Sequence, residues 1–130
     1  DIGWVDADGW VHLSDRVANM IISGGVNVYP AEVEAVLGDH PGVADVAVFG
    51  IPDDEWGEQV RAAIEPTPEW RAVPDGELEA SVLAHAAAHL ARYKVPRSIE
   101  RHARLPRADT GKLAVRQLRD PHWVGRERRI

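Results

Sequence analysis

The run Val43 to Ile51, VADVAVFGI, constrains this chain more than any other segment. It is apolar at positions that point to both faces of an extended strand, which is the pattern of a central strand covered on each side. Pro52-Asp53-Asp54-Glu55 breaks it. From Gln59 to Ile64 the period changes: Val60, Ala62 and Ile64 fall on one face, predicting a second strand that pairs with the first. Ser98 to Ala103 is a candidate short strand after Pro96, and Pro66 to Gly76, with three prolines, is a surface loop.

Helices are expected on either side of this pair. Pro30 suits a first helical position, Glu32 and Glu34 suit the positive end of the helix dipole, and Val33, Val36 and Leu37 make a buried stripe that ends at Gly38. Glu77 to Tyr93 carries Leu78, Val82, Leu83, Ala86, Ala87 and Leu90 on one stripe, with Asp75 as its cap. Leu113 to Leu118 is a short third helix. Before these, Met20-Ile21-Ile22, Ser23-Gly24-Gly25 and Val26-Asn27-Val28-Tyr29 spell a strand, a glycine turn and a second extended piece. The opening GWVDADGWVHLS has short runs flanking Asp6-Ala7-Asp8-Gly9 and reads as a hairpin. The fold class is therefore α+β: a small, mainly three-stranded sheet with two or three packed helices, plus an N-terminal β-hairpin.

Two metal patterns are weaker than they look. Asp6 and Asp8 resemble the start of a calcium loop, but its twelfth position would be Val17 instead of a bidentate glutamate. His85 and His89 stand one helical turn apart, yet a zinc protease needs Glu beside the first His and this chain has Ala86. Two polar residues on a wet helix face are the expectation, and no metal site is assigned. The absence of cysteine removes a thiol nucleophile and a redox dithiol from this chain. No run reaches the roughly 18 apolar residues of a membrane span, and the first residues lack a signal peptide's basic and apolar regions, so a cytoplasmic setting is expected.

Charge is divided unevenly. Residues 1 to 91 hold three basic and seventeen acidic groups, whereas residues 92 to 130 hold twelve basic and four acidic. The basic end suits a polyanion such as a nucleotide cofactor, or it is a solvated surface that neutralises the acidic half. A non-enzymatic module that uses it on nucleic acid or a partner protein is one alternative; the acidic majority would repel a broadly approaching polyanion, and no nucleic acid partner is expected.

Four segments in register carry a resemblance: ISGGVNVYPAEVE (Ile22 to Glu34), VFGIPDDEWGE (Val48 to Glu58), YKVPR (Tyr93 to Arg97) and LPRADTGK (Leu105 to Lys112). Together they resemble the C-terminal domain of the acyl-CoA synthetases, in the adenylate-forming enzyme superfamily. The resemblance implies an acid-thiol ligase reaction: a carboxylic acid, ATP and CoA give acyl-CoA, AMP and pyrophosphate, with Mg2+ as cofactor. It implies that residues 1–15 close a large N-terminal domain and start a hinge and that 16–120 form the C-terminal domain; from its own residues, 121–130 reads as a tail without an obvious core partner. The large domain, carrying the acid pocket and most of the ATP site, would be the partner, so this chain alone is expected to be inactive. Its hairpin tryptophans, Trp4 and Trp10, would then be exposed and favour self-association.

By the same resemblance Lys112 is the adenylation lysine, which on composition alone is an ordinary surface lysine. Asp1 matches an aspartate that holds the ATP ribose, and Arg16 an arginine at the domain junction. Asp15, Arg16 and Ala18 mark the hinge; most members carry Lys or Asp where this chain has Ala18, so the pivot lacks a polar contact. Gly24 and Gly25 would let the backbone approach the pantetheine arm of CoA, besides making a tight turn. Trp56, Tyr93 and Arg97 match positions that meet the CoA nucleotide, aromatic faces for adenine and a guanidinium for phosphate. Trp56 could equally anchor its own loop. A domain that loads a carrier protein instead of CoA is the nearer alternative.

Overall fold

The computed structural model of the chain describes residues 2–5, 11–15 and 20–124. It opens with an antiparallel pair, β1 (Ile2–Val5) and β2 (Val11–Asp15), in which Trp4 pairs with His12 and Val5 with Val11. The connecting Asp6–Gly9 turn lies outside the described residues, as do Asp1, Arg16, Ala18 and residues 125–130. Asp15 closes β2, and the side chains of Trp4 and Trp10, on which self-association was expected to depend, are likewise outside the description.

The remaining elements form one mixed sheet with helices on it. β3 (Ile21–Ser23) and β4 (Val26–Val28) make a hairpin, α1 spans Pro30–Gly38, and β5 (Val43–Asp53) and β6 (Gly57–Pro66) make the long hairpin. α2 (Asp75–His89) crosses over to β7 (Ser98–Arg101), and α3 spans Val115–Arg119. β6 is the hub. One of its edges pairs with β5 along its length; the other takes β3 at Gly57 and β7, in parallel, at Arg61 to Ile64.

The α+β class holds, but the sheet has five strands where mainly three were expected. The two short strands β3 and β4 reach it through a single ladder pair, Ser23 with Gly57, a contact that no local periodicity encodes. β5 also differs in place. It is covered on both faces, yet by hydrogen bonding it is an edge strand. Its free edge is occupied by side chains instead of a neighbour: Val48 N–H donates to Glu34 (3.2 Å), and Trp123 Nε1–H donates to the Gly50 carbonyl (2.8 Å). Such covering protects an apolar edge from pairing with another chain.

Alternation along β5 divides the core in two. Val46 and Val48 join Ile21, Val28, Val33, Leu37, Val60, Ala62, Ile64, Leu78, Val82 and Ala86 under α1 and α2. Ala47, Phe49 and Ile51 join Ala63, Leu105 and Leu118 under α3. Burying a side chain such as Phe49 contributes about 1.5–3 kcal/mol, so both layers matter to so small a domain.

Three local expectations are corrected. α2 begins at Asp75, with Pro74 at the cap position and its carbonyl accepting from Glu77 N–H (3.0 Å), so Asp75 is the first helical residue and not the cap. The helix stops at His89 because Leu90 turns extended, and a separate 3-10 turn holds Arg92–Lys94. The tail is not wholly without a core partner: Asp120–Trp123 form a 3-10 turn in which Trp123 binds Gly50 and His122 lies against Phe49 (ring centroids 6.2 Å).

Candidate functional site

Among the described residues, Gly24, Gly25, Trp56, Arg97 and Lys112 gather at two turns. At the first, Ser23 and Val26 pair across Gly24-Gly25, whose φ angles of 59° and 81° fit a two-residue hairpin of type I′. Gly24 has a second reason to lack a side chain. A Cβ there would stand 2.5 Å from Cε3 of Trp56, whereas one on Gly25 would meet nothing within 4 Å. Gly24 N–H also donates to the Trp56 carbonyl (2.9 Å). The glycine turn is thus seated on the tryptophan, with Gly25 facing open space.

Trp56 belongs to the three-residue loop between β5 and β6. The Arg97 guanidinium lies 4.7 Å from its ring centroid, a cation–π geometry that leaves both groups accessible, with Trp56 38% exposed. Arg97 N–H donates to the Val60 carbonyl (2.9 Å), which fixes its backbone at the entry to β7. Gly24, Trp56 and Arg97 are therefore brought together. Tyr93 is anchored separately: Lys94 Nζ lies over its ring (5.5 Å) and pairs with Glu32 of α1 (2.6 Å), leaving Tyr93 half exposed. The Glu32 carboxylate raises the Lys94 pKa, so this ammonium keeps its charge.

The second turn carries Lys112. Gly111 N–H donates to Ala108 O (2.8 Å), Ala108 N–H to Lys112 O (2.8 Å), and Arg107 Nη1–H to Gly111 O (2.7 Å). Arg107 also pairs with Asp45, which ties the turn to the start of β5. The backbone of Lys112 is therefore held while its side chain is exposed. Asp45 and Asp53 are eight residues apart on β5, about 26 Å at ~3.3 Å per residue, so the lysine turn and the glycine turn lie at opposite ends of the long hairpin.

Asp53 escaped notice in the sequence. Its Oδ1 accepts the backbone N–H of Glu55 (2.8 Å) and Trp56 (2.9 Å), and its Oδ2 accepts from Gln59 (2.9 Å). The Trp56 N–H bond leads the factors that hold its pKa below the usual carboxylate range. An Asp at the start of a tight loop is the available signal, because its carboxylate can bond the backbone two residues on. Glu58 is a second unforeseen residue: it is buried, accepts Ile22 N–H (3.0 Å), and so fastens β3 to β6 beside the glycine turn.

The His85 and His89 rings lie 4.7 Å apart, but His85 Nε2 is 3.0 Å from the Val36 carbonyl and packs on buried His40. His85 is thus a partly buried link between helices, not a wet-face residue. Among the described residues no group of three or more His, Cys, Asp or Glu could hold a metal ion, and no helix is long and apolar enough to cross a membrane.

The described residues thus form an α+β domain with helices on both faces of its sheet, a glycine hairpin at one end and a lysine turn at the other. Residues 32–112 match the AMP-binding enzyme C-terminal domain, and the chain belongs to that family. Feruloyl-CoA synthase from Amycolatopsis sp is 45% identical over 92% of this chain and 23% of that protein. The fatty acid–[acyl-carrier-protein] ligase ScoC of Streptomyces coeruleorubidus is 39% identical over 100% of this chain and 24% of its own length. Among solved structures, ATP-bound MatB from Rhodopseudomonas palustris superposes with a TM-score of 0.81 at 35% identity, over 92% of this chain and 23% of that one. The chain thus spans about a quarter of the length of the curated relatives it matches.

Proposed function

We propose that this chain is the mobile C-terminal domain of an ATP-dependent acyl-CoA synthetase acting in the cytoplasm, with residues 16–120 as the domain proper. The observation that supports the reading is the placement of the glycine turn and the lysine turn at opposite ends of one long hairpin. A body of that shape can serve two half-reactions by turning one end and then the other toward a common site.

In the first half-reaction a carboxylate oxygen attacks the α-phosphorus of ATP, and pyrophosphate leaves with the electrons of the broken P–O bond. Lys112 supplies a positive charge where negative charge develops; loss of such a donor costs on the order of a hundredfold to a thousandfold. Asp1 and Arg16 contact the nucleotide, and Asp15, Arg16 and Ala18 form the pivot. In the second half-reaction the CoA thiolate attacks the acyl carbon and AMP departs. Gly24-Gly25 gives the thiol arm close passage, while Trp56, Tyr93 and Arg97 hold its nucleotide end. Among the described residues no group of three or more His, Cys, Asp or Glu could hold a metal ion, so Mg2+ would enter with the ATP phosphates.

The large N-terminal domain supplies the acid pocket, so this chain alone should give no ATP–pyrophosphate exchange. In a full-length enzyme carrying the domain, Lys112→Ala should slow exchange at least a hundredfold yet leave thioester formation from supplied acyl adenylate within a few-fold. Equal loss in both would overturn the division of labour. The likeness to ScoC favours one second reading, a carrier-protein thiol in place of CoA. A thioesterification assay offering free CoA and a phosphopantetheinyl carrier separately decides between them.

A further inference from the structure

We infer that Asp53 is a positioning residue for thiol-substrate binding: its two carboxylate oxygens hold the two wings of the Trp56–Arg97 pair in register. The inference rests on the reading that Trp56 and Arg97 grip the nucleotide end of CoA.

The first wing is direct. Oδ1 accepts the N–H groups of Glu55 and Trp56 at 2.8 and 2.9 Å, which sets the loop backbone and hence the plane of the indole. The Trp56 carbonyl then receives Gly24 N–H at 2.9 Å, so the same anchor reaches the glycine turn. The second wing is relayed. Oδ2 accepts from Gln59 Nε2 (2.9 Å), Gln59 Oε1 accepts from Ser98 Oγ (3.3 Å), and Ser98 Oγ accepts from Arg61 Nη1 (3.0 Å). Ser98 is the residue after Arg97, at the start of β7.

Every donor in this relay points toward Asp53, so the carboxylate sets its direction. An Asn here could keep the Oδ1 bonds, but its NH2 would face the NH2 of Gln59. Flipping the Gln59 amide would then leave Ser98 without its acceptor. The charge is also matched to its surroundings, because the Arg97 guanidinium helps keep Asp53 ionised. Asp53 itself lies at the loop base, touching protein groups and leaving the exposed faces of Trp56 and Arg97 to the ligand.

The test uses a full-length ligase carrying this domain, assayed with CoA and with pantetheine, which has the thiol arm without the nucleotide. Asp53→Ala should raise KM for CoA about tenfold or more while KM for pantetheine and ATP–pyrophosphate exchange stay within twofold. Asp53→Asn should shift KM for CoA two- to threefold, and serves if the alanine variant folds poorly. Trp56→Ala and Arg97→Ala are run in parallel. If they raise KM for CoA and both Asp53 variants do not, the positioning role is overturned and the CoA-grip reading survives. If Trp56→Ala and Arg97→Ala leave KM for CoA unchanged, both readings fall together.

Discussion

Gly24 donates its backbone N–H to the carbonyl of Trp56 at 2.9 Å while the indole fills the space where a Gly24 side chain would stand. Two neighbouring glycines with positive φ are thereby set unequal tasks. Gly25→Ala strains the backbone only, and should cost about 1 kcal/mol after the loss of unfolded-state entropy is credited. Gly24→Ala adds a side-chain collision and should cost about 2–4 kcal/mol. Urea unfolding of the two variants measures the difference; equal midpoints would show that Trp56 moves aside freely.

A similar close approach occurs inside the sheet. A Cβ on Gly50 would lie 2.4 Å from Glu58 Oε1 and 3.2 Å from Ile21 Cγ2. Glu58 is buried and bonded to Ile22 N–H, so it cannot retreat without breaking that bond. Gly50→Ala should therefore destabilise by about 2–4 kcal/mol. Adding Glu58→Ala removes the clash, so the double variant should lose at least 1 kcal/mol less than the sum of the singles. Additive losses in a denaturation cycle would contradict this account.

The same residues mark the limit of what the sequence discloses. The β5–β6 pair, the α1 stripe of Val33 and Leu37 and the glycine turn are written in local period and in Gly and Pro chemistry, and all three were legible. Four spaced segments also identified the family. What was not legible depends on contacts between distant segments: Ser23 with Gly57, Trp123 with Gly50, and Glu34 with Val48, fourteen or more positions apart. Asp53 carries a local signal, an Asp at the start of a tight loop, but its bond to Gln59 across the hairpin, which turns one carboxylate of an acidic stretch inward, does not show in the sequence.

A charged network on the α3 face of the sheet makes a further prediction. Arg61 binds Glu100 through Nε–H and Nη2 (both 2.8 Å), and His102 Nε2 lies 3.0 Å from the other Glu100 oxygen. Burial raises the Glu100 pKa, but His102 and Arg61 outweigh it and the net shift is downward. A lowered carboxylate contributes stability above its unfolded pKa and loses it as pH falls through the folded value. Glu100→Gln should thus destabilise at pH 7 by about 1–2 kcal/mol, and its difference from the wild type should shrink as pH falls below the ordinary carboxylate range. Parallel acid titrations of the two proteins by circular dichroism check this; curves that stay apart at low pH would remove the network's share.

His40 gives the opposite end of the pH range its own signal. It is buried beside Trp70 (ring centroids 5.3 Å) and His85 (5.6 Å), its Nδ1 accepts Gly42 N–H (2.8 Å), and its Nε2–H points to Ser81 Oγ (2.8 Å). Burial first, and His85 second, lower its pKa from the ordinary histidine value. The unfolded chain therefore binds a proton before the folded chain does, and stability falls as pH drops below about 6.5. Protonation would also put a donor on Nδ1 against the Gly42 donor. His40→Asn retains an acceptor for Gly42 N–H but cannot take up that proton. Its melting temperature at pH 7.5 should be lower than wild type, because the Ser81 bond and packing are lost, yet its decline between pH 7 and 5.5 should be shallower. Thermal melts across that window decide it, and an equal slope in both proteins would assign the acid sensitivity to groups other than His40.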